Sequence, residues 1–319
     1  MNPIVKPERL RKGDLVGLAA PASPLLNLCD IQHARRTLEG MGFRVHAGKA
    51  VRRRHGFLAG RDQERADDLL AMFANPEIRA VFAVRGGYGS ARLLPLLDWE
   101  QIRSNPKILV GHSDLTALLT AVHQKTGLVT FWGPLAGYDL GRHPTPFKVR
   151  WLKKVLCDAS FELRLPRGAD KGRSRRWRVV SGGPPASAPL TGGNLSLLAA
   201  LMGTPYEIET RGRLLFIEDV DEEPYRMDRL LSQLTLGGKL DGAAGIVVGK
   251  CINCESSGRM KRTFRLRQVL DDRLSGLGLP VVYGAPLGHE KDKITVPLGI
   301  RACLDPEKTS LTLLEPAVL

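Results

Sequence analysis

The feature that most constrains the fold is a regular alternation of apolar strands and amphipathic helices over roughly the first 135 residues. Apolar segments near residues 14, 43, 79 and 107 predict strands, and "DIQHARRTLEGMG" and "DQERADDLLAMFAN" predict helices, the first capped by Asp30. This alternation indicates βαβ units and a parallel sheet. In such sheets ligands bind beyond the carboxyl ends of the strands. Because "APAS", "RGGYGS" and "GHSD" all follow predicted strands, we expect one functional crevice at that edge.

The second half of the chain has a different pattern. Residues 141–190 are rich in Pro, Arg and Gly, which indicates a connecting segment between a domain at 1–140 and a domain at 191–319. In the latter, "LLFIEDV", "GIVVGKCI" and "PVVYGAP" predict strands, and "GGNLSLLAALMGT" and "YRMDRLLSQLTLGG" predict helices. The apolar stripe from Met227 to Leu234 is interpreted as core. The predicted fold class is α/β: a parallel-sheet N-terminal domain followed by a mixed, strand-rich C-terminal domain.

Charge and composition limit the partners. The net charge of +14 suggests an acidic partner, an anionic small substrate or simply a basic surface, with the densest runs at 52–54 and 171–178. No nucleic-acid motif accompanies these runs, so we expect no nucleic-acid partner. No segment is long and apolar enough for a membrane span, and the first residues lack a signal-peptide core. We therefore expect no membrane partner. Five cysteines, an odd number, fit reduced thiols better than a disulfide framework, so we expect a cytoplasmic protein.

Cofactor motifs are incomplete. The cysteine pair, Cys251 and Cys254, forms a single C-x-x-C without the second pair that a structural zinc site requires, so we expect no metal and interpret the two as buried thiols. The turn "RGGYGS" (Gly86, Gly87 and Gly89) does not match the dinucleotide fingerprint, and no Walker lysine follows it. We therefore expect no cofactor. The exposed amides of such a turn can still bind an anion or an oxyanion.

A strand-to-helix turn carries the first candidate nucleophile. In "KILVGHSDLTALLTAVHQ", residues 107–124, Ser113 lies between an apolar strand and a helix with almost no loop. One interpretation is a helix N-cap, since Ser and Asp satisfy the free amides of a first turn. The other is a nucleophile held where those amides stabilise an oxyanion. The local sequence leaves both open.

A serine nucleophile needs a base and an orienting acid. His289 follows the predicted strand "PVVYGAPLG", and Glu218 closes the strand "RLLFIEDV". The alternative for His289 is a turn histidine with satisfied hydrogen bonds. The alternative for Glu218 is a helix cap or a salt bridge within the acidic cluster "EDVDEEPYR". Side chains alternate across a strand, so Glu218 and Asp219 are not expected to face the same side.

At this point the chain resembles the LD-carboxypeptidase family of serine peptidases, which includes murein tetrapeptide carboxypeptidases and microcin C self-immunity proteins. The resemblance is carried in order by "VRGGYGSARLLPLLDW", "GHSDLTAL", "LTGGNLSLL", "LFIEDVDEEPYRMDRLLSQL" and "PLGHEKDKITVPLG". It implies an N-terminal α/β domain, a smaller β-rich C-terminal domain, an active site between them, no cofactor and a homodimer.

The resemblance also implies roles for particular residues. Ser113 is the nucleophile, Glu218 the orienting acid and His289 the base, so the triad is Ser–Glu–His. The backbone amides of Gly87 and Asp114 are expected to form the oxyanion hole.

Two residues depart from the family pattern. His112 stands where an aromatic residue is common, and Glu290 where a glycine commonly follows the histidine. Glu290 places a carboxylate beside the expected base and is expected to alter its protonation or the pocket.

The implied substrate is a small peptide ending in a D-residue. The implied function is release of terminal D-alanine from cytoplasmic murein tetrapeptide in cell-wall recycling. Arg85 is either a substrate-binding residue for carboxylates or part of a structural ion pair. An alternative is hydrolysis of a peptidyl-adenylate, as in microcin immunity, for which Trp177 is a candidate nucleobase-stacking residue. An alternative of another class is a non-enzymatic module that binds a nucleotide or an anion.

Overall fold

The computed structural model describes residues 2–159, 163–165, 177–256 and 263–319. The chain forms two compact units. The first comprises Met1–Ser160 with Ile294–Gly299 and Pro316–Leu319, and the second comprises Phe161–Lys293 with Ile300–Glu315. Most of the basic run at 171–178 (positions 171–176) lies outside the described residues.

The first unit is the predicted alternation of strands and helices. Its first five strands are β1 (Leu15–Ala19), β2 (Arg44–Ala47), β3 (Ile78–Ala83), β4 (Ile108–Gly111) and β5 (Thr130–Trp132). Its helices are α1 (Cys29–Gly40), α2 (Asp62–Ala74), α3 (Trp99–Ser104), α4 (Thr116–Thr126) and α5 (Pro146–Leu156). The five strands pair in parallel, as expected for consecutive βαβ units.

The second unit is a mixed α/β arrangement. Its strands up to residue 288 are β6 (Leu163–Arg164), β7 (Arg178–Ser181), β8 (Ala186–Asn194), β9 (Leu214–Glu218), β10 (Gly245–Lys250) and β11 (Val281–Gly288). Its helices are α6 (Leu195–Ala200), α7 (Pro224–Leu236) and α8 (Leu266–Leu274). The stripe of Met227, Leu231 and Leu234 on α7 is buried in one apolar cluster, which confirms its interpretation as core.

The last three strands are β12 (Val296–Leu298), β13 (Arg301–Asp305) and β14 (Ser310–Leu313). The first sheet has the order β12-β5-β4-β3-β1-β2, and the second has the order β6-β14-β13-β8-β9-β10-β11-β7. Strand β12 pairs antiparallel with β5, although the sequence analysis assigned residues 191–319 to a single second domain. Such a pairing joins segments more than 160 positions apart, so no local pattern predicts it.

Three local predictions differ from the structure. Asp30 is not the cap of α1: it lies within the first turn and accepts a hydrogen bond from Arg142 at 2.8 Å, while Asn27 Oδ1 accepts from the Cys29 N–H. The segment "ARLLPLLDW" has the composition of a short α-helix shortened by Pro95, but Ala91–Leu96 forms a 3₁₀ helix, since Pro95 cannot donate a backbone hydrogen bond. The predicted helix "GGNLSLLAALMGT" begins only at Leu195, because its first residues belong to β8.

No helix in the described ranges has the length and apolar character to cross a membrane.

Candidate active site

The turn between β4 and α4 holds Ser113 in a strained backbone conformation. The φ of Ser113 is +63°, in the left-handed region that side chains other than glycine rarely adopt. An N-cap residue has extended backbone, and here that conformation belongs to His112, whose φ is −153°. The strain at Ser113 costs on the order of 1–3 kcal/mol. The N-cap interpretation of Ser113 is therefore wrong, and the geometry is that of a sharp strand-to-helix turn that presents a side chain.

The glycine turn after β3 packs directly against this serine. A Cβ atom placed on Gly86 would lie 3.0 Å from the Cβ and 3.2 Å from the Oγ of Ser113. The Asp114 carboxylate accepts hydrogen bonds from the backbone N–H groups of Gly89 (3.2 Å) and Ser90 (2.8 Å). Asp114 therefore joins the glycine turn to the serine turn, and burial raises the pKa of its carboxyl group even though the Ser90 hydrogen bonds lower it.

The loop after β1 completes this edge of the first sheet. The Ser23 N–H donates to Gly86 O at 3.2 Å, and Ser23 Oγ accepts from the Tyr88 N–H at 3.1 Å. The segments "APAS", "RGGYGS" and "GHSD" are thus in mutual contact at the carboxyl edge of the sheet, as the sequence predicts. Ser23 was not among the residues predicted from the sequence, although its position after a strand end was an available signal.

The two amides expected to form an oxyanion hole belong to these turns. The φ of Gly87 is +93°, and a Cβ on it would lie 2.6 Å from Ser23 Oγ, so this position requires glycine. Among the described residues, none accepts a hydrogen bond from the backbone N–H of Gly87 or of Asp114.

Beneath Ser113, the ring of His112 is directed into the protein. His112 is 1% exposed, lies 3.0 Å from Gly133 O through Nδ1, and packs on the Trp132 ring with centroids 5.3 Å apart. The Asp139 carboxylate lies 3.6 Å from the same Nδ1 and 3.4 Å from Lys148 Nζ. These contacts hold the residue preceding Ser113 in the interior, packed on an aromatic ring and beside a buried carboxylate.

In the second unit, Glu218 and His289 form a hydrogen-bonded pair. The Nδ1 atom of His289 lies 2.8 Å from Glu218 Oε2. Glu218 ends β9 and is fully buried, whereas the His289 side chain, immediately after β11, is 18% exposed. A buried carboxylate that accepts from Nδ1–H fixes the tautomer of the ring and leaves the lone pair on Nε2.

Gly288 allows this close approach. Its φ is +132°, and a Cβ there would collide with Lys250 O and lie 3.4 Å from Glu218 Oε2. A side chain at position 288 would therefore collide with the backbone of Lys250 in β10, so the residue before His289 must be glycine.

The neighbouring carboxylate, Asp219, has different partners. Its Oδ2 accepts from the Ser196 N–H (2.8 Å) and Oγ (2.7 Å), and its Oδ1 accepts from Asn194 Nδ2 (2.8 Å) and the Val220 N–H (2.9 Å). Burial raises the pKa of Asp219, and these hydrogen bonds oppose that shift in part. Asp219 therefore stabilises the start of α6 and does not contact the histidine.

Asn194 is a contributor that the sequence analysis missed. Its Nδ2 reaches Glu218 Oε1 at 3.4 Å as well as Asp219, and its Oδ1 caps α6 by accepting from the Leu197 N–H. The signal was available in "LTGGNLSLL", where an asparagine precedes an apolar helix. Gly192 in the same motif lets β8 approach the backbone of Phe216 so closely that a Cβ would overlap it.

Glu290 is held by Lys250. Lys250 Nζ donates to Glu290 Oε2, and within the described part of the chain the buried Oε1 has no partner. Burial raises the pKa of Glu290, and the ammonium group of Lys250 lowers it in part. The negative charge expected beside His289 is thus paired with a positive one.

Arg85 is not in an ion pair with any described residue. Its Nη1 donates to Pro24 O at 2.5 Å, beside the loop that carries Ser23. The ion-pair interpretation of Arg85 is therefore not supported.

The other sequence candidates are placed as follows. The five cysteines are free thiols: Cys254 is buried and Cys251 is half-buried. Over the described ranges, no group of three or more His, Cys, Asp or Glu residues could hold a metal ion. The indole of Trp177 is 2% exposed and packs in the second unit, so it offers no open face to a nucleobase.

Comparison with known proteins places these features in a family. Residues 16–133 match the model of the LD-carboxypeptidase N-terminal domain, and residues 187–304 match that of the LD-carboxypeptidase C-terminal domain. A probable murein peptide carboxypeptidase of Bacillus subtilis (strain 168) is 44% identical over 308 residues, covering 96% of this chain and 93% of that protein.

Two solved structures have the same fold. The muramoyltetrapeptide carboxypeptidase from Oxalobacter formigenes superposes with a TM-score of 0.82 and 31% identity, covering 94% of this chain and 97% of that chain. The microcin C7 self-immunity protein MccF, solved in complex with aspartyl sulfamoyl adenosine, superposes with a TM-score of 0.89 and 27% identity, covering 99% of this chain and 100% of that chain.

Proposed function

Because the chain belongs to the LD-carboxypeptidase family of serine carboxypeptidases, we propose that it hydrolyses the bond between an L-configured centre and a C-terminal D-residue. The proposed reaction is release of terminal D-alanine from murein tetrapeptide during cell-wall recycling in the cytoplasm. The names of the Bacillus and Oxalobacter relatives support this substrate class. The observation that carries the reaction type is the 2.8 Å hydrogen bond between buried Glu218 and His289, which prepares an imidazole as a base.

In the proposed mechanism Ser113 Oγ attacks the scissile carbonyl carbon while His289 Nε2 takes the hydroxyl proton. Glu218 accepts the Nδ1–H and stabilises the imidazolium that forms. The C–N bond then breaks, and His289 returns the proton to the leaving amine of D-alanine. Water hydrolyses the resulting ester by the same proton transfers in the second half of the cycle.

The oxyanion of the tetrahedral intermediate is proposed to bind the N–H groups of Gly87 and Asp114. Support comes from the position of both amides in turns that contact Ser113 or contain its neighbour, and from the strained φ of Ser113. Removal of one such donor typically costs about 10²–10³ in kcat. Arg85 is proposed to hold a carboxylate of the substrate.

The test is incubation of the protein with murein tetrapeptide and with its tripeptide and pentapeptide relatives, followed by quantification of free D-alanine. We expect release from the tetrapeptide by the wild type and none by Ser113→Ala. A serine-reactive fluorophosphonate should label the wild type at Ser113 and leave the Ser113→Ala variant unlabelled. Absence of both labelling and D-alanine release in the folded protein would favour a non-enzymatic binding module instead.

A second candidate is hydrolysis of a peptidyl-adenylate, favoured by the structural likeness to MccF bound to aspartyl sulfamoyl adenosine. The burial of Trp177 counts against it, because this indole is not available for stacking. Isothermal titration with aspartyl sulfamoyl adenosine tests this candidate. Binding tighter than that of the murein tetrapeptide would favour the adenylate substrate.

We further propose that the protein is a cytoplasmic homodimer that binds no nucleic acid. Sedimentation equilibrium, cell fractionation and a DNA-binding assay at low salt test these three statements separately.

A further inference from the structure

A cavity of about 240 Å³ lies in the first unit, on the loop that follows Ser23. We call it the basic pocket; it is lined by Pro24, Leu25, Leu26, Leu28, Val51 and Arg52–Arg54. Its lining combines apolar residues, of which Leu26 and Leu28 are more than half exposed, with three consecutive arginines.

Most of the positive charge at this pocket has no acidic partner. Arg53 forms an ion pair with Glu64 at 2.7 Å. By contrast, Arg52, Arg54 and the adjacent Arg85 contact no carboxylate in the part of the chain that the structure describes. Because clustered like charges repel one another, such a group is stabilised when an anion enters it.

Arg85 connects this charge to the pocket wall. Its guanidinium donates to the carbonyl of Pro24 at 2.5 Å, so it lies against a residue that lines the cavity. Burial lowers the pKa of Arg85, and the positive charges of Arg54 and Arg142 lower it further. Arg54 lines the same cavity as Pro24, whose carbonyl Arg85 contacts, so both arginines adjoin this pocket.

The basic pocket also adjoins the serine turn. Ser23 immediately precedes Pro24, and its N–H donates to the carbonyl of Gly86, the glycine that packs on Ser113. The basic pocket and the serine turn are therefore linked through Ser23 and the glycine turn.

We propose that the basic pocket is an anion subsite in which Arg54 and Arg85 hold a carboxylate of an acidic peptide substrate, away from the bond that Ser113 attacks. The exposed faces of Leu26 and Leu28 contact the aliphatic part of the same residue. Guanidinium groups suit this ligand because they bind carboxylates through two parallel hydrogen bonds. The identity of the ligand as a substrate rests on the proposed function, whereas the anion subsite itself does not.

The test measures binding without turnover. Isothermal titration uses the Ser113→Ala protein and two probes: murein tetrapeptide with the free α-carboxylate on its D-glutamyl residue, and the same peptide with that group amidated. We expect the free acid to bind about 5- to 30-fold more tightly, as for a charge-assisted hydrogen bond. Adding Arg54→Ala should reduce this ratio to about two or less, because one of the two guanidinium groups is gone and Arg85 alone cannot hold the carboxylate in place.

Two controls separate the subsite from the fold and from the reaction. Arg103→Ala, an exposed arginine on α3 at the opposite, amino edge of the first sheet, should keep the full ratio. Arg54→Lys should restore part of it, since the charge remains and the fork is lost. An unchanged ratio in Arg54→Ala, with a wild-type melting curve, would overturn the subsite.

The kinetic arm distinguishes this failure from failure of the proposed function. Discrimination between the probes that depends on Arg54, without D-alanine release by the wild type, supports the subsite and counts against the carboxypeptidase substrate. D-alanine release by the wild type with no preference for the free acid supports the carboxypeptidase substrate and counts against the subsite.

Discussion

Replacing Glu218 by Gln tests the catalytic assignment most sharply, because the chain supplies a matched control in the next residue. Glu218 contacts His289 at 2.8 Å, whereas Asp219 contacts Ser196 and Asn194. Both carboxylates are buried, and both substitutions remove one negative charge while keeping the shape of the side chain. A difference between the two variants therefore reports the partners of each carboxylate and not burial or charge alone.

The magnitude for Glu218→Gln follows from the proton that Nδ1 carries. A glutamine amide oriented with its NH₂ toward Nδ1 donates to that atom, which places the ring proton on Nε2 and removes the base. A comparable triad substitution lowers kcat by about 10⁴. We expect a fall of about 10³–10⁴ in kcat with little change in KM, equivalent to about 4–5.5 kcal/mol. The melting temperature should change little, since the hydrogen bond to the ring is retained.

For Asp219→Asn we expect a loss of stability with little loss of kcat. Asp219 accepts four hydrogen bonds, two at each oxygen, and an asparagine amide can accept at only one side. Leaving the Ser196 N–H and hydroxyl facing an NH₂ group should lower the free energy of unfolding by about 2–4 kcal/mol. The kcat of the folded variant should stay within about tenfold of wild type, because no contact to His289 is lost.

The assay is steady-state D-alanine release by the purified variants, with thermal melts as the control for folding. The reasoning is refuted if Glu218→Gln keeps kcat within a few-fold of wild type while folded Asp219→Asn is inactive. That outcome would assign the orienting role to Asp219 and displace the end of β9 by one residue.

Three further predictions follow from single contacts. Gly86→Ala places a Cβ 3.0 Å from Ser113 Cβ, so kcat/KM should fall by about 10- to 100-fold with a nearly normal melting curve, and wild-type kinetics would contradict the packing described. Activity should survive EDTA and replacement of the cysteine pair by Ser, since the mechanism uses neither metal nor thiolate; loss of turnover in EDTA without unfolding would show a metal requirement. Burial first, and then the charge of Arg79, lower the pKa of Lys107 to about 8. Between about pH 8 and 10.5, Lys107 thus holds more protons in the unfolded chain than in the folded chain. Over this range the free energy of unfolding of the wild type, relative to that of Lys107→Met, should rise by about 1–3 kcal/mol. A flat difference across that range in urea titrations would refute the shift.

Much of the first unit could be predicted from local sequence. Strand and helix periodicity depends on neighbours within a few positions, and it located β1, β2, β3 and β4 and the helices α1 and α2, but not α3. The same holds for the position of Ser113 between a strand and a helix. What periodicity could not supply was the backbone conformation of that serine: a positive φ is set by the glycine turn packed against it and by the bonds of Asp114 to that turn.

Local sequence did not predict β8 as a separate strand, and it did not distinguish the roles of the neighbouring carboxylates Glu218 and Asp219. Strand β8 was merged with the following helix because Gly192 and its neighbours have weak strand propensity, and only the close approach to β9 makes that stretch a strand. In the acidic cluster, residue type did not distinguish Glu218 from Asp219. Their roles depend on which buried donors face each carboxylate.

The sequence by itself determined the α/β class, the order of the elements and the residue types at each strand end, because these depend on local periodicity and on side-chain chemistry. The tertiary structure decided what local periodicity could not: the antiparallel pairing of β12 with β5, the 2.8 Å contact of His289 with Glu218 across 71 positions, and the partner of Asp30. The physical reason is that these contacts join distant segments, so they are selected by the shape and charge of the folded interior and leave no repeating pattern in the chain.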